Sequence, residues 1–479
     1  MFGHPRGLMT LFFTELWERF SYYGMRGLLV LFLADAMRGG FGMDAQTAGA
    51  IYGLYTGMVY LLALPGGWIA DRILGQRQAV FIGGCVIAAG HFSMAIPATE
   101  TFYLGLVLIV IGTGLLKPNV SAIVGDLYPE GGGRRDAGFS IFYMGINIGA
   151  FVGPLICGYL GENIDWHLGF SAAGVGMVFG LLQYKLGFKY LGDAGLPKNI
   201  DSEARAQATS AMYKALVGLV GIIAVIALLQ FSAIIHLTLP GVAQAMGVVI
   251  FLIAVGYFIY VLIVGNLNTA EKKRLAVIFF LFISSAVFWA GFEQAGSSLN
   301  LFAERLTDRD IFGWLMPASW LQSVNAFFII ALAPVFSWLW IWLGHKQPSI
   351  PIKFALGLIL LGAGFAVLAW GSIYADTAAV SPMWLIITYL LHTTGELCLS
   401  PVGLSSITKL SPPKFVGQMM GIWFTGTSLG NLLAGLAAGK FEVMPLPELF
   451  GTVALITAGF GVIAVLISRP IKKMIGGIE

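Results

Sequence analysis

Long apolar runs broken by short charged or Gly/Pro-rich segments dominate this chain. They predict spanning helices near residues 8–36, 48–71, 78–97, 101–124, 138–161 and 168–191, followed by a polar stretch at 192–210. Two further runs, 211–237 and 241–265, precede the charged cluster Glu271, Lys272, Lys273 and Arg274. A second set of six then follows, near 274–303, 314–343, 352–374, 382–407, 413–440 and 447–469. Each run has close to the roughly 20 residues that cross a bilayer as helix. Barrel strands are about half as long and alternate strictly, so an outer-membrane barrel is excluded. The expectation is an all-α polytopic membrane protein with fourteen transmembrane helices. Its predicted units are residues 1–191, a linker with an inserted helix pair at 192–273, and residues 274–479. Two groups of six suggest two packed bundles with a pathway between them, as in many secondary transporters.

Composition supports that reading. Hydrophobic residues make up 58% and charged ones 11%, against about 25% charged in ordinary soluble domains. The net charge of +3 is too small to suggest a nucleic-acid partner. Placing both termini in the cytoplasm puts 20 of the 27 Lys and Arg residues on the inner side, including Lys198, and only Arg38, Arg305, Arg309 and Lys440 on the outer side. This bias obeys the positive-inside rule. The first apolar run carries Glu15, Glu18, Arg19 and Arg26 and reads as a spanning helix, not a cleavable signal. Cys85, Cys157 and Cys398 read as small core residues, and Gly145, Gly149 and Gly153 as a close helix-packing face.

The charges left inside the apolar runs carry the chemistry. Glu15, Glu18, Glu293 and Glu396 are the deeply placed acids, and Arg19, Arg26 and Lys117 the bases. A charge at the bilayer centre costs about 2.5–3.5 kcal/mol on insertion scales, so each needs a partner or a wet cavity. In ELWERFSYYGMR a turn of about 100° per residue puts Glu15, Glu18, Arg19, Tyr22 and Arg26 within one arc, with Glu15 in reach of Arg19. Pro118 follows Lys117 and weakens the helix there. All three bases lie in the first half, so ion pairs between the halves could form and break as these rock. Tyr22, Tyr23, Tyr60, Asn147, Trp289, Asn325 and Trp423 are polar or aromatic candidates for lining a ligand cavity, whereas His91, His236 and His392 read as packing residues. No Ser/His pairing, HExxH or metal cluster is evident, so an enzyme is not expected.

ELWERFSYYGMR (Glu15 to Arg26) resembles the ExxERFxYYGMR signature of the proton-dependent oligopeptide transporter family, a branch of the major facilitator superfamily. FSIFYMGINIGAFVGP (Phe139 to Pro154) resembles the family's second signature, and GGWIADRILGQR (Gly66 to Arg77) the superfamily's loop between helices two and three. The resemblance implies a bacterial member of major facilitator fold, with two six-helix bundles plus two inserted helices, in the cytoplasmic (inner) membrane. It further implies a monomer that imports di- and tripeptides with protons and needs no cofactor. Carried over by motif, Glu15, Glu18, Arg19 and Glu293 would couple protonation to transport. Arg26 and Lys117 would receive the peptide carboxylate, Glu396 its amino group, and Asn147 and Asn325 its backbone. Tyr22, Tyr23, Tyr60 and Trp423 would line side-chain pockets. Arg26 with Glu293 would form an outer gate and Lys117 with Glu396 an inner one. The alternatives are a transporter of another small solute, such as nitrate, and a peptide sensor without transport.

Overall fold

The apolar runs fold as helices in the expected order. A computed structural model describes residues 3–197 and 201–476, so Lys198 lies outside the described residues. The first six spans are α1 (Arg6–Ala34), α2 (Ala45–Leu61) continuing into α3 (Ala63–Ile69), α4 (Gln76–Met94), α5 (Thr99–Asp126), α6 (Gly132–Asn163) and α7 (Trp166–Gly187). The inserted pair is α8 (Ser202–Phe231) and α9 (Leu239–Val264). The last six are α10 (Thr269–Phe292) with α11 (Ser298–Leu306), α12 (Ser323–Leu343), α13 (Ile350–Ala375), α14 (Met383–Leu410), α15 (Val416–Ala438) and α16 (Leu446–Leu466). A short amphipathic helix, α17 (Ser468–Ile475), buries Ile471 and Ile475. Among the described residues, ten helical segments are long and apolar enough to cross a membrane. The remaining expected spans correspond to α1, α4, α7 and α15, of which α1 is diluted by its four internal charges.

Local chemistry sets the helix ends. Asp44 accepts the Thr47 N–H at the start of α2, Asp165 accepts from His167 and Leu168 at α7, and Asn268 with Glu271 forms a capping box at α10. Two spans are less regular than the hydropathy predicts. The second passes from α3 into a π-helical turn, Ala70–Leu74, and reverses at Gly75, whose φ is +80°. The ninth breaks between α10 and α11 at a 3₁₀ turn, Glu293–Gly296. Residues 314–315, expected inside a span, instead pair with 310–311 as a two-residue hairpin whose turn holds Phe312 and Gly313 at positive φ.

The glycine face of α6 meets α1 as expected: a Cβ at Gly153 would lie 2.5 Å from the Phe20 carbonyl, and Gly145 and Gly149 abut the Phe12 and Leu16 carbonyls. The same close approach joins the first and last groups of helices. On α2, Gly49 and Gly53 touch Gly435 of α15, where a Cβ at Gly49 would sit 2.5 Å from the Gly435 carbonyl. α6 also packs on α12, and α1 on α11. None of the described residues of α8 is buried, which leaves an apolar helix to lipid, although Arg205 at its start donates to the Ile73 carbonyl at 2.8 Å. Cys157 and Cys398 are buried, but Cys85 is exposed on α4, correcting the core reading for that residue.

Candidate functional site

The charged face of α1 is buried in full. Glu15, Glu18, Arg19 and Arg26 are each no more than 4% exposed. Arg19 Nε lies 3.2 Å from Glu15 Oε1, its Nη2 donates to Glu18 Oε1 at 2.7 Å, and its Nε also bonds Glu18 Oε2. The guanidinium stands 5.1 Å from the centre of the Tyr22 ring, which packs edge-on to Tyr23. Lys117 of α5 lies in the electrostatic reach of Glu15, Glu18 and Arg19, with its amine 3.9 Å from the Tyr60 ring centre. Among the described residues, Glu15 Oε2 and the Tyr22 hydroxyl have no hydrogen-bond partner.

Two turns beyond Arg19 along α1, Arg26 crosses to the second half. Its Nη2 pairs with Glu293 Oε2 at 2.8 Å and its Nε donates to the Tyr52 hydroxyl at 2.7 Å. That hydroxyl donates in turn to the Glu293 carbonyl at 3.0 Å, using a backbone group freed by the break after α10. Tyr23 lies under the same guanidinium, 5.5 Å from ring centre to Cζ. Glu396 of α14 feels both Arg26 and Glu293, and Asn325 donates to Thr393 Oγ1 at 2.8 Å, one turn before Glu396. The Asn325 side chain also acts on the Glu396 carboxyl, whose Oε2 has no hydrogen-bond partner among the described residues.

Other expected residues stand differently. Asn147 donates to the Tyr143 carbonyl of its own helix at 3.0 Å and meets none of the other candidates by a hydrogen bond. Trp423 packs edge-on to Phe354 and against Gly403, within the last six helices. Among the described residues Lys117 forms no ion pair, so the expected contact with Glu396 is not made. The physical reason is the position of the bonds joining the two groups of helices, which gather at the end away from the termini. There Arg38 bridges Asp35 and Glu304, at 3.3 and 3.1 Å. Arg305 pairs with Glu442 at 2.6 Å, and Glu442 also accepts the Ala45 N–H at 2.9 Å. Glu162 accepts the N–H groups of Ala318 and Ser319 at 2.7 and 2.9 Å, with Arg309 3.9 Å away. Partial burial pushes the Asp35 and Glu442 carboxyls up, but N–H donors and the neighbouring arginines outweigh it and hold both below their ordinary values.

Hydropathy alone missed three features here. Tyr52 is fully buried at the Arg26 junction, and its signal was the helical spacing of Tyr52, Thr56 and Tyr60 along α2. Thr393 stands three residues before Glu396 on the same helix. Glu162 is only 8% exposed, although it reads as a loop-edge residue.

Comparison with known proteins places this arrangement. The sequence model of the POT family matches residues 77–452. The peptide transporter YePEPT of Yersinia enterocolitica is 42% identical over 497 aligned residues, which cover 100% of this chain and 96% of that protein. The di-/tripeptide transporter of Lactococcus lactis subsp. cremoris is 36% identical over 489 residues, covering 100% and 98%. The crystal structure of a peptide transporter POT in complex with sulfate superposes with a TM-score of 0.93 at 42% identity, over 100% of this chain and 97% of that one. The fold is therefore the expected major facilitator arrangement with its inserted helix pair, in a multi-pass membrane transporter. With likeness of sequence and of backbone running from one end to the other, the chain belongs to the POT family of peptide transporters.

Proposed function

We propose that this chain is a proton-coupled symporter importing di- and tripeptides across the bacterial cytoplasmic membrane by alternating access. It works as a monomer without a cofactor, with both termini inside. Residues 1–191 and 274–479 are the moving units, and 192–273 an insertion. The observation that carries the reading is the uneven charge of the set inside the spans: four carboxylates against three bases, with Glu15 Oε2 and Glu396 Oε2 unpartnered among the described residues. One surplus negative charge, shielded from bulk water, is balanced by one proton or one ligand ammonium. Glu15, Glu18 and Arg19 hold the proton, in contact with Lys117 through the field, while Glu293 releases Arg26 when it is protonated. Arg26 and Lys117 then accept the peptide carboxylate as charge-assisted donors, and Glu396 takes the amino group. Asn147 and Asn325 meet the peptide backbone, and Tyr22, Tyr23, Tyr60 and Trp423 border its side chains. Recognition of the two termini fixes orientation while aromatic walls tolerate varied side chains. With both termini inside, the end opposite them is the outer side, and there Arg26, held by Glu293 and Tyr52, closes the pathway.

The test is uptake of labelled dialanine into proteoliposomes under an inward proton gradient. Accumulation should vanish when the gradient is collapsed. Glu18→Gln should lose gradient-driven accumulation yet keep part of the counterflow of preloaded peptide. Accumulation that survives either change would overturn the coupling, and uptake of nitrate but not dialanine would overturn the substrate.

A further inference from the structure

Besides the ion pairs, buried bonds without charge join the two halves of the chain. Asn300 Nδ2 of α11 donates to the Gly27 carbonyl of α1 at 2.8 Å, and Ser428 Oγ of α15 to the Gly57 carbonyl of α2 at 2.7 Å. On α6, the Phe151 carbonyl accepts from Ser323 Oγ at 2.7 Å and the Leu155 carbonyl from Trp320 Nε1 at 2.9 Å. All four donors belong to residues 274–479, and all four acceptors are main-chain carbonyls of residues 1–191. A carbonyl inside a helix keeps a second lone pair beyond the one its own turn uses, so these bonds cost the helices nothing. Asn300, Ser323 and Ser428 are at most 2% exposed. At about 1.5 Å of rise per residue, the acceptors lie roughly 10–18 Å below the helix ends that face away from the termini. The bonds therefore extend from that end to about mid-span.

None of the eight groups titrates in the range where carboxylates do, which sets them apart from the salt links around them. The charged groups on the elements packed nearby are Arg26 with Glu293 beside the Gly27 bond, Glu162 with Arg309 beside the Leu155 bond, and Glu396 of α14, which packs on α12 and α15. Around Ser428, α2 and α9 carry tyrosines but no charge, and α10 carries its charges only at Glu271–Arg274 in its first turn. We propose that the four bonds form a neutral latch. Asn300, Trp320, Ser323 and Ser428 are positioning residues that hold the halves together at the end away from the termini in every protonation state. Arg26 with Glu293 then supplies the part of closure that a proton can release. The latch rests on the alternating access proposed above, but its test reads a distance and needs neither peptide nor gradient, so either can fail alone.

Spin labels at the exposed Met37 and Val443, in protein whose three cysteines are replaced, report the separation of that end by electron–electron distance measurement at about pH 7 and about pH 5. Hydrogen bonds between membrane helices contribute a factor of about three each. Ser323→Ala combined with Ser428→Ala should therefore raise the ratio of long to short distances roughly ninefold, by the same factor at both pH values. Glu293→Gln should raise the ratio too, but should also remove part of the difference between the two pH values. Asn300→Leu, which keeps the side-chain size and cannot donate, is the second variant if the serine pair fails to fold, with an expected rise of about threefold. An unchanged ratio would overturn the latch. So would a rise confined to one pH value, because the bonds would then act through the buried acids.

Discussion

At the scale of single residues, the Arg26 junction shows how little space separates a seal from an open contact. Gly296 follows the break after α10, and a Cβ there would stand 2.8 Å from Arg26 Nε and overlap Tyr52. A glycine leaves room for Arg26 to bond the Glu293 carboxylate and the Tyr52 hydroxyl while that hydroxyl reaches the Glu293 carbonyl. Glu396 is the complementary case, a half-buried acid whose Oε2 is enclosed and unpartnered among the described residues. A charge-assisted hydrogen bond contributes about 1.5–3 kcal/mol. If Glu396 takes the peptide amino group, an N-acetylated dipeptide should compete for wild-type protein roughly 10- to 100-fold less well than the free dipeptide. Glu396→Gln should bind the free dipeptide as weakly as the blocked one. Equal competition by both peptides against wild type would remove Glu396 from that role. The face of α1 was legible in the sequence because four charges inside an apolar run share a helical arc, a pattern that chance packing does not maintain. Tyr52 was not, because a tyrosine in a span reads equally well as interfacial or as packing.

Among the helices, two kinds of feature were legible to different degrees. The order and type of the elements followed from run length, since a lipid-facing backbone must close its own hydrogen bonds. The break at Glu293–Gly296 did not, because no proline marks it; it frees the Glu293 carbonyl that accepts from the Tyr52 hydroxyl. The ties of Glu162, Arg38 and Glu442 were likewise invisible, since their partners in the other half lie more than a hundred residues away in sequence. The α2 and α15 contact is a packing device of a different sort. Gly435 meets Gly53 so closely that a Cβ would lie 2.7 Å from the Gly53 N and Cα atoms. Backbone cannot yield as a side chain end can, so Gly435→Ala must push the two helices apart at a cost of roughly 1–3 kcal/mol. The expected result is a lower melting temperature in detergent together with slower dialanine uptake. A variant indistinguishable from wild type in both would show that these helices do not need so close an approach.

For the whole molecule, the ties at the end away from the termini act together, and their energies decide which end is open. Arg26–Glu293 is the most buried of the pairs that cross between the halves. Removing one partner of a buried pair costs about 3–5 kcal/mol, whereas the two states of a switching protein differ by only a few. Loss of this one pair should therefore be enough to populate the state open at the sealed end. Met37, 92% exposed, and Val443, 70% exposed, follow α1 and α15 at that end and can carry spin labels once Cys85, Cys157 and Cys398 are replaced. Electron–electron distance measurement should give one dominant short population for the otherwise native protein and a second, longer one for Glu293→Gln. Acid should behave differently. Asp35 and Glu442 have lowered folded pKa values, so their contribution is complete above the ordinary carboxylate value and is lost only as pH falls through the lower folded one. Between pH 7 and about 4.5 Asp35 and Glu442 stay mostly charged, so lengthening of the Met37–Val443 distance in that window comes from other carboxyls, Glu162 and Glu304 at the same end or the deeper acids. An unchanged distribution in Glu293→Gln would mean that the glycine contact of α2 and α15, not the ion pair, keeps that end shut.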